Sequence, residues 1–266
     1  MEKITSKDGT QIAYEKVGNG PAVILVEGAS GSRGFGFSEG MSKLLSPDFT
    51  VYWYDRRGRG DSTDTQPYSV DREIEDIEAL IDKAGGAAYV YGISSGACLA
   101  LEAAIKLGDK IKKLALYEAP YDSSEEGQKI WREYTANLEK AIAENRRGDA
   151  VVLFMKLVLV PDEMIDGMKS SPMWSYMESI APTLVYDAQC MGEDRGAPVE
   201  RAKQVTAKTL IMDGSKSLEK YPFMSRSAEE LAKAIPNSER KTVEGQGHDV
   251  SSEVLAPVLR DFFKDD

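Results

Sequence analysis

Ala88-Tyr89-Val90-Tyr91-Gly92-Ile93-Ser94-Ser95-Gly96 begins as an apolar, β-forming run and ends in a glycine-flanked turn with a serine at its tip. The residues from Gly96 to Leu107 are rich in Ala and Leu and read as a helix. A Gly-x-Ser-x-Gly turn between strand and helix is so tight that the flanking positions must be glycine or very small, and it holds the hydroxyl clear of the backbone. The stretch therefore predicts both a strand-turn-helix unit and a candidate nucleophile, Ser94.

The rest of the chain repeats the alternation. Short apolar runs recur at Ala22 to Val26, Thr50 to Tyr54, Lys113 to Tyr117 and Thr209 to Met212. Several are continuously apolar, as expected of parallel strands covered on both faces. Helical patterns fall between most of them or after the last: Val70 to Lys83, Gly96 to Leu107, Arg226 to Ala234 and Val254 to Phe263. At the start, Lys3 to Tyr14 alternates in character about Asp8-Gly9 and predicts a β-hairpin. Strands alternating with helices give an α/β class with a mostly parallel sheet. The interval 121–205 breaks the rhythm, with helix-favouring stretches at Glu125 to Arg146 and Asp149 to Val158 and then a methionine-rich segment. It reads as a helical cap inserted into a core formed by 1–120 and 206–266. Met173, Trp174 and Met177 within it are candidates for an adaptable apolar substrate pocket, although methionines at such spacing also serve as core filler.

Composition narrows the function. With 266 residues, 42% of them hydrophobic, one large core is available. The 44 acidic against 33 basic residues leave a net charge of -11, which repels phosphate backbones and anionic lipid surfaces, so neither nucleic acid nor membrane is an expected partner. No basic n-region and apolar h-region open the chain, and a cytoplasmic protein is expected. Cys98 and Cys190 are too far apart in sequence for a Cys-x-x-Cys knuckle and read as free thiols. A single histidine rules out a histidine-built metal site; no metal and no cofactor are expected.

Serine needs a base to become a nucleophile at neutral pH. The one histidine, His248, lies in the glycine-bearing loop Glu244-Gly245-Gln246-Gly247-His248-Asp249, just before the last helical pattern. Tyr54-Asp55-Arg56-Arg57-Gly58-Arg59-Gly60-Asp61-Ser62 supplies a third motif after an early strand. With these three in order, the chain resembles the α/β-hydrolase family over nearly its whole length. The resemblance implies that fold and a catalytic serine, acid and histidine in that chain order.

The family's common acid position, in the loop that follows the post-cap strand, holds Ser217 in Gly214-Ser215-Lys216-Ser217. The resemblance offers a second location, the end of the strand before the cap, as in some haloalkane dehalogenases and in the zearalenone-type lactone hydrolases; here that residue is Glu118. Chain length favours it. A helix over 96–107 runs about 18 Å away from the Ser94 turn, or elbow, and a strand over 112–118 returns about 23 Å, which brings Glu118 back near Ser94. Asp213 is the alternative acid, and Asp187 or another carboxylate remains open. For the oxyanion hole, the Ser95 N–H is one donor. The resemblance places the second after a His-Gly pair that reads Glu27-Gly28 here, giving Ala29, with Gly28 and Ser30 nearby as substrate-binding candidates. Glu27, in place of histidine, would tune His248 or read a polar substrate group. The implied activity is hydrolysis of a small apolar carboxylic ester or lactone through an acyl-serine, by a monomer or homodimer. A ligand-binding or receptor protein, a lyase or a perhydrolase on the same scaffold is the alternative.

Overall fold

The computed structural model describes residues 1–264. Eight strands form one sheet in the order β1-β2-β4-β3-β5-β6-β7-β8: β1 (Glu2–Thr5), β2 (Gln11–Val17), β3 (Ala22–Val26), β4 (Thr50–Tyr54), β5 (Ala88–Ile93), β6 (Ile111–Tyr117), β7 (Lys208–Gly214) and β8 (Ser238–Val243). The β1-β2 hairpin turns at Asp8-Gly9, where Gly9 takes a φ of +90°, and pairs antiparallel with β4. From β4 to β8 every pairing is parallel. The helices are α1 (Ser38–Leu45), α2 (Val70–Lys83), α3 (Ser95–Leu107), α4 (Glu125–Ala143), α5 (Arg147–Leu157), α6 (Asp162–Met168), α7 (Pro172–Ile180), α8 (Leu184–Met191), α9 (Val199–Ala202), α10 (Ser217–Lys220), α11 (Pro222–Ala234) and α12 (Ser252–Lys264).

Both sheet faces are covered, which is why the central strands read as unbroken apolar runs. Along β3, Val23 and Leu25 pack with Met41 and Leu45 of α1 and Leu255 and Leu259 of α12. Ile24 and Val26 face the other way, toward Ile77 and Leu80 of α2 and Ala97 and Leu101 of α3. The strands lie in 2–117 and 208–243, and the stretch between them is built from α4 to α9. Cys98 and Cys190 are free and buried, and burial pushes the Cys98 thiol up to about 12. Among the described residues no helix is long and apolar enough to cross a membrane.

Strand order fixes what meets what. β3 and β6 flank β5, and β7 and β8 follow beyond β6, with Val26 level with Gly92, Ile93 with Tyr117, Tyr117 with Met212 and Gly214 with Val243. The loops leaving the carboxyl ends of β3, β5, β6 and β8 are therefore neighbours, at the edge where open α/β sheets place their ligands.

Candidate active site

Ser94 stands between β5 and α3 at φ 55° and ψ -131°, a conformation that costs a non-glycine residue about 1–3 kcal/mol. The flanking glycines have steric reasons. A Cβ on Gly92 would lie 2.8 Å from the Ala97 Cα, and one on Gly96 would lie 2.5 Å from the Glu27 carbonyl oxygen at the end of β3. The elbow is thus packed on both sides by backbone. Its amide continues the ladder, donating to the Tyr117 carbonyl at 3.0 Å.

Glu118 follows β6 and is also strained, at φ 47°. It is 1% exposed, and its carboxylate is fully engaged. Oε1 accepts from the Gly214 N–H at 2.8 Å, and Oε2 lies 2.7 Å from His248 Nδ1. Two glutamate bonds fix the carboxylate plane, and the carboxylate in turn sets the imidazole's orientation, leaving Nε2 on the far side of the ring. The His248 loop is held by the Tyr117 hydroxyl, which donates to the Gly247 carbonyl at 2.6 Å, and by the Lys216 N–H, which donates to the Gln246 carbonyl at 2.8 Å. Gly214 has to be glycine for this approach, since a Cβ there would sit 2.5 Å from the Gln246 carbonyl oxygen. The Tyr221 ring lies edge-on to His248 at 6.1 Å, and its hydroxyl donates to the Val158 carbonyl at 2.7 Å, so it ties the histidine's surroundings to the end of α5.

The other carboxylates are placed elsewhere. Asp213 turns toward β8, where Arg240 and the Thr242 hydroxyl each donate to it at 3.1 Å. Asp187, on α8, accepts from Arg56 at 2.6 Å, from Arg59 at 2.7 Å and from the Ser95 hydroxyl at 2.8 Å. The arginines hold its carboxyl below the ordinary aspartate range in spite of a burial that pushes it up. The carboxylate paired with His248 Nδ1 is that of Glu118.

The loop after β3 approaches the nucleophile through Gly28: a Cβ there would lie 3.0 Å from Ser94 Cβ and 3.6 Å from its Oγ. Ala29 is the next residue, and Ser30 takes a φ of 64° with a buried hydroxyl that has no hydrogen-bond partner. Glu27 corrects the expectation of a carboxylate free to tune His248. Its side chain folds back into its own loop, where Oε1 accepts from the Ser38 N–H at 2.8 Å. Gly31 and Gly36 make room for it, since Cβ atoms on them would come within 2.8 Å of Oε2 and 2.7 Å of Cδ, respectively. Burial pushes this carboxyl up, against the Ser38 and Phe37 amides and the charge of Arg59. The loop glycines at 31 and 36 thus accommodate Glu27, whereas Gly28 lies beside Ser94.

Of the cap candidates, Met177 is buried, while Met173 and Trp174 pack half-buried against the main core. Trp174 lies toward Gly148 of α5. The side chain of α7 that reaches the β3 loop is Tyr176, whose hydroxyl donates to the Ser30 carbonyl at 3.3 Å and whose ring meets Phe35 at 5.6 Å. Sequence reading missed Tyr176, Tyr221 and the joint role of Arg59 and Asp187. No local spacing marks them, because their partners are 146, 63 and 128 residues away. Among the described residues no cluster of three or more His, Cys, Asp or Glu side chains is arranged to hold a metal ion.

Known proteins share this architecture. A family model described as "Alpha/beta hydrolase family" matches residues 23–258. The proline iminopeptidase PfmaB of Pestalotiopsis fici is 26% identical over 278 residues, covering 95% of each chain. An alpha/beta hydrolase from Sphaerobacter thermophilus superimposes with a TM-score of 0.88 at 45% identity, over 99% of this chain and 100% of that one. The enol-lactonase of Burkholderia xenovorans, at 18% identity and a TM-score of 0.73 over 99% and 100% of the two chains, shares the fold. The sheet order, the elbow after β5 and the family match agree: this chain belongs to the alpha/beta hydrolase family.

Proposed function

We propose that the protein is a serine hydrolase that cleaves a small apolar carboxylic ester or lactone through an acyl-Ser94 intermediate. The observation that carries this reading is the 2.7 Å contact of His248 Nδ1 with the buried Glu118 carboxylate, together with a strained serine whose amide donates to the carbonyl of Tyr117, the residue before Glu118. Ser94 Oγ attacks the carbonyl carbon while His248 Nε2 takes its proton, and Glu118 stabilises the imidazolium that forms. The N–H groups of Ser95 and Ala29 take the developing oxyanion. When the carbon-oxygen bond breaks, His248 returns the proton to the leaving alkoxide. Water, deprotonated by the same nitrogen, then attacks the acyl-serine and releases the acid. A lactone gives a single hydroxy acid, because its alcohol stays attached to the acyl group. The helices of 121–205 act as a cap over the strand ends, and Tyr176 and Tyr221 join it to the β3 loop and to the histidine.

The test is intact-mass labelling with a fluorophosphonate, followed by turnover of p-nitrophenyl esters, aliphatic lactones and proline p-nitroanilide. Labelling of wild type and none of Ser94→Ala, with ester or lactone turnover well above that of the anilide, is the expected result. Preferred cleavage of the anilide would move the substrate to a peptide-like amide, as the name of the fungal relative suggests. A wild type that takes no label and turns over none of the three would favour a binding protein on this scaffold.

A further inference from the structure

Arg59 and Asp187 meet across 128 residues of sequence, and between them they touch both backbone segments that flank Ser94. The Arg59 guanidinium has every nitrogen engaged. One terminal nitrogen donates to the Gly28 carbonyl at 2.7 Å, the other to Asp187 Oδ2 at 2.7 Å, and Nε donates to the Thr183 hydroxyl at 3.1 Å. Asp187 Oδ1 accepts from the Ser95 hydroxyl at 2.8 Å and from Arg56 at 2.6 Å. Arg56 in turn is paired with Glu73 at 2.6 Å. Two guanidinium groups and two carboxylates thus form a neutral cluster, and its members are at most 3% exposed.

The geometry has a consequence for the two backbone donors. In a planar trans peptide the C=O and N–H point in opposite directions. Fixing the Gly28 carbonyl on Arg59 therefore fixes the Ala29 N–H on the other side of that same peptide. The Ser95 hydroxyl, tied to Asp187, anchors the first residue of α3, whose N–H is one of the donors a helix start leaves unspent. One carboxylate from α8 consequently holds both. We infer that Asp187, acting through Arg59 and the Ser95 hydroxyl, is a positioning residue that sets the two oxyanion donors, and that it makes their alignment depend on where α8 sits. This rests on the acyl-Ser94 reading of the site. A buried ion cluster contributes little net stability compared with apolar packing, so positioning accounts for these residues better than stability does.

The experiment compares wild type, Ser95→Ala and Asp187→Asn in ester turnover, in affinity for a trifluoromethyl ketone that forms a hemiketal oxyanion on Ser94, and in the NMR titration of the single histidine. Loss of one oxyanion donor lowers kcat by about 10²–10³-fold. Asp187→Asn is expected in that range, and Ser95→Ala, which loses one of the two tethers and keeps its N–H, at about 10-fold. KM should stay within about twofold, the ketone should weaken by the same factor as kcat, and the His248 titration should not move. If Asp187→Asn does not fold, Ser95→Ala decides alone. The proposal falls if kcat in the folded variants stays within twofold of wild type, if ketone affinity does not follow kcat, or if the histidine titration shifts with the loss. A wild type inert to fluorophosphonate and ester removes the serine-hydrolase reading and this proposal together, whereas an active wild type with unaffected variants removes this proposal only.

Discussion

Ser30, Ser94 and Glu118 are non-glycine residues with positive φ in the loops that leave β3, β5 and β6. Backbone strain of this kind persists where the surroundings over-determine it, and sites of chemistry are where it collects. At Glu118 the determinants are the Gly214 N–H and His248, one on each oxygen. Glu118→Gln keeps an acceptor for Gly214 and loses the charge that stabilises the imidazolium. It is expected to lower kcat by about 10³–10⁴-fold with the protein still folded. Asp213→Asn, whose partners lie on β8, should leave kcat within about twofold; the same ester assay checks both. Glu27 belongs to the architecture of its loop. Removing it in Glu27→Ala strands the buried amides of Ser38 and Phe37, at a cost of about 1–3 kcal/mol. Calorimetry should show a drop of several degrees in Tm. The pH profile of kcat/KM in Glu27→Gln should match wild type, and a displaced profile would show that Glu27 does tune His248.

Strands β3, β5, β6 and β8 each deliver one component of the site, and the parallel register holds the four loops side by side. The most demanding junction is where β7 ends, because Gly214 lies against the histidine loop and donates to Glu118. Gly214→Ala would push the Gln246 carbonyl or the Tyr117 hydroxyl aside. It is expected to lower kcat more than 10-fold, because an angstrom of misplacement at the base costs about 10² in rate, and parallel thermal melts should show the sheet intact. Strands β1 to β7 and helices α2 to α5, α11 and α12 were legible because apolar runs, alternation about a turn and 3.6-residue periods are local signals: α2 and β3 begin and end at the residues their sequence patterns mark. Ser94 and His248 stood out in glycine-bearing turns, and Glu118 through the family resemblance, with a length argument on one helix and one strand in its support. The facing of Glu27 was not. It depends on two glycines, 31 and 36, that close around it once the loop has folded. Tyr176 and Asp187 were illegible for a related reason, since α7 and α8 show only that they have an apolar face, and which polar groups they meet is decided by tertiary packing.

Across the whole molecule, the Asp55 to Ser62 segment acts as an electrostatic hub with three fully buried arginines. Arg56 and Arg59 reach α8 through Asp187, whereas Arg57 reaches α2 through Asp76 at 2.7 Å and the tip of the β1-β2 hairpin through Asp8 at 2.8 Å. The hub therefore joins the sheet edge, the flanking helix α2 and α8. Its acid dependence is readable at Asp8, the most accessible of these carboxylates. Hydrogen bonds from Arg57 and Thr10 outweigh its partial burial and hold its carboxyl down to about 2, from an unperturbed 3.8. A depressed folded-state value means that the contribution is complete above about pH 4 and is lost as pH falls through about 2. Asp8→Asn removes the charge while its side-chain oxygen still accepts from the Thr10 N–H. Arg57 keeps its pair with Asp76, so losing this second partner at the rim of the hub is expected to cost about 0.5–1 kcal/mol, or roughly 1–4 °C in a protein of this size. Melting curves at pH 7 should place Asp8→Asn below wild type by that margin, and the gap should close as the two are compared at successively lower pH toward 2. A gap that stays constant down to pH 2 would mean that hairpin packing, and not the Asp8 charge, anchors this edge to the hub.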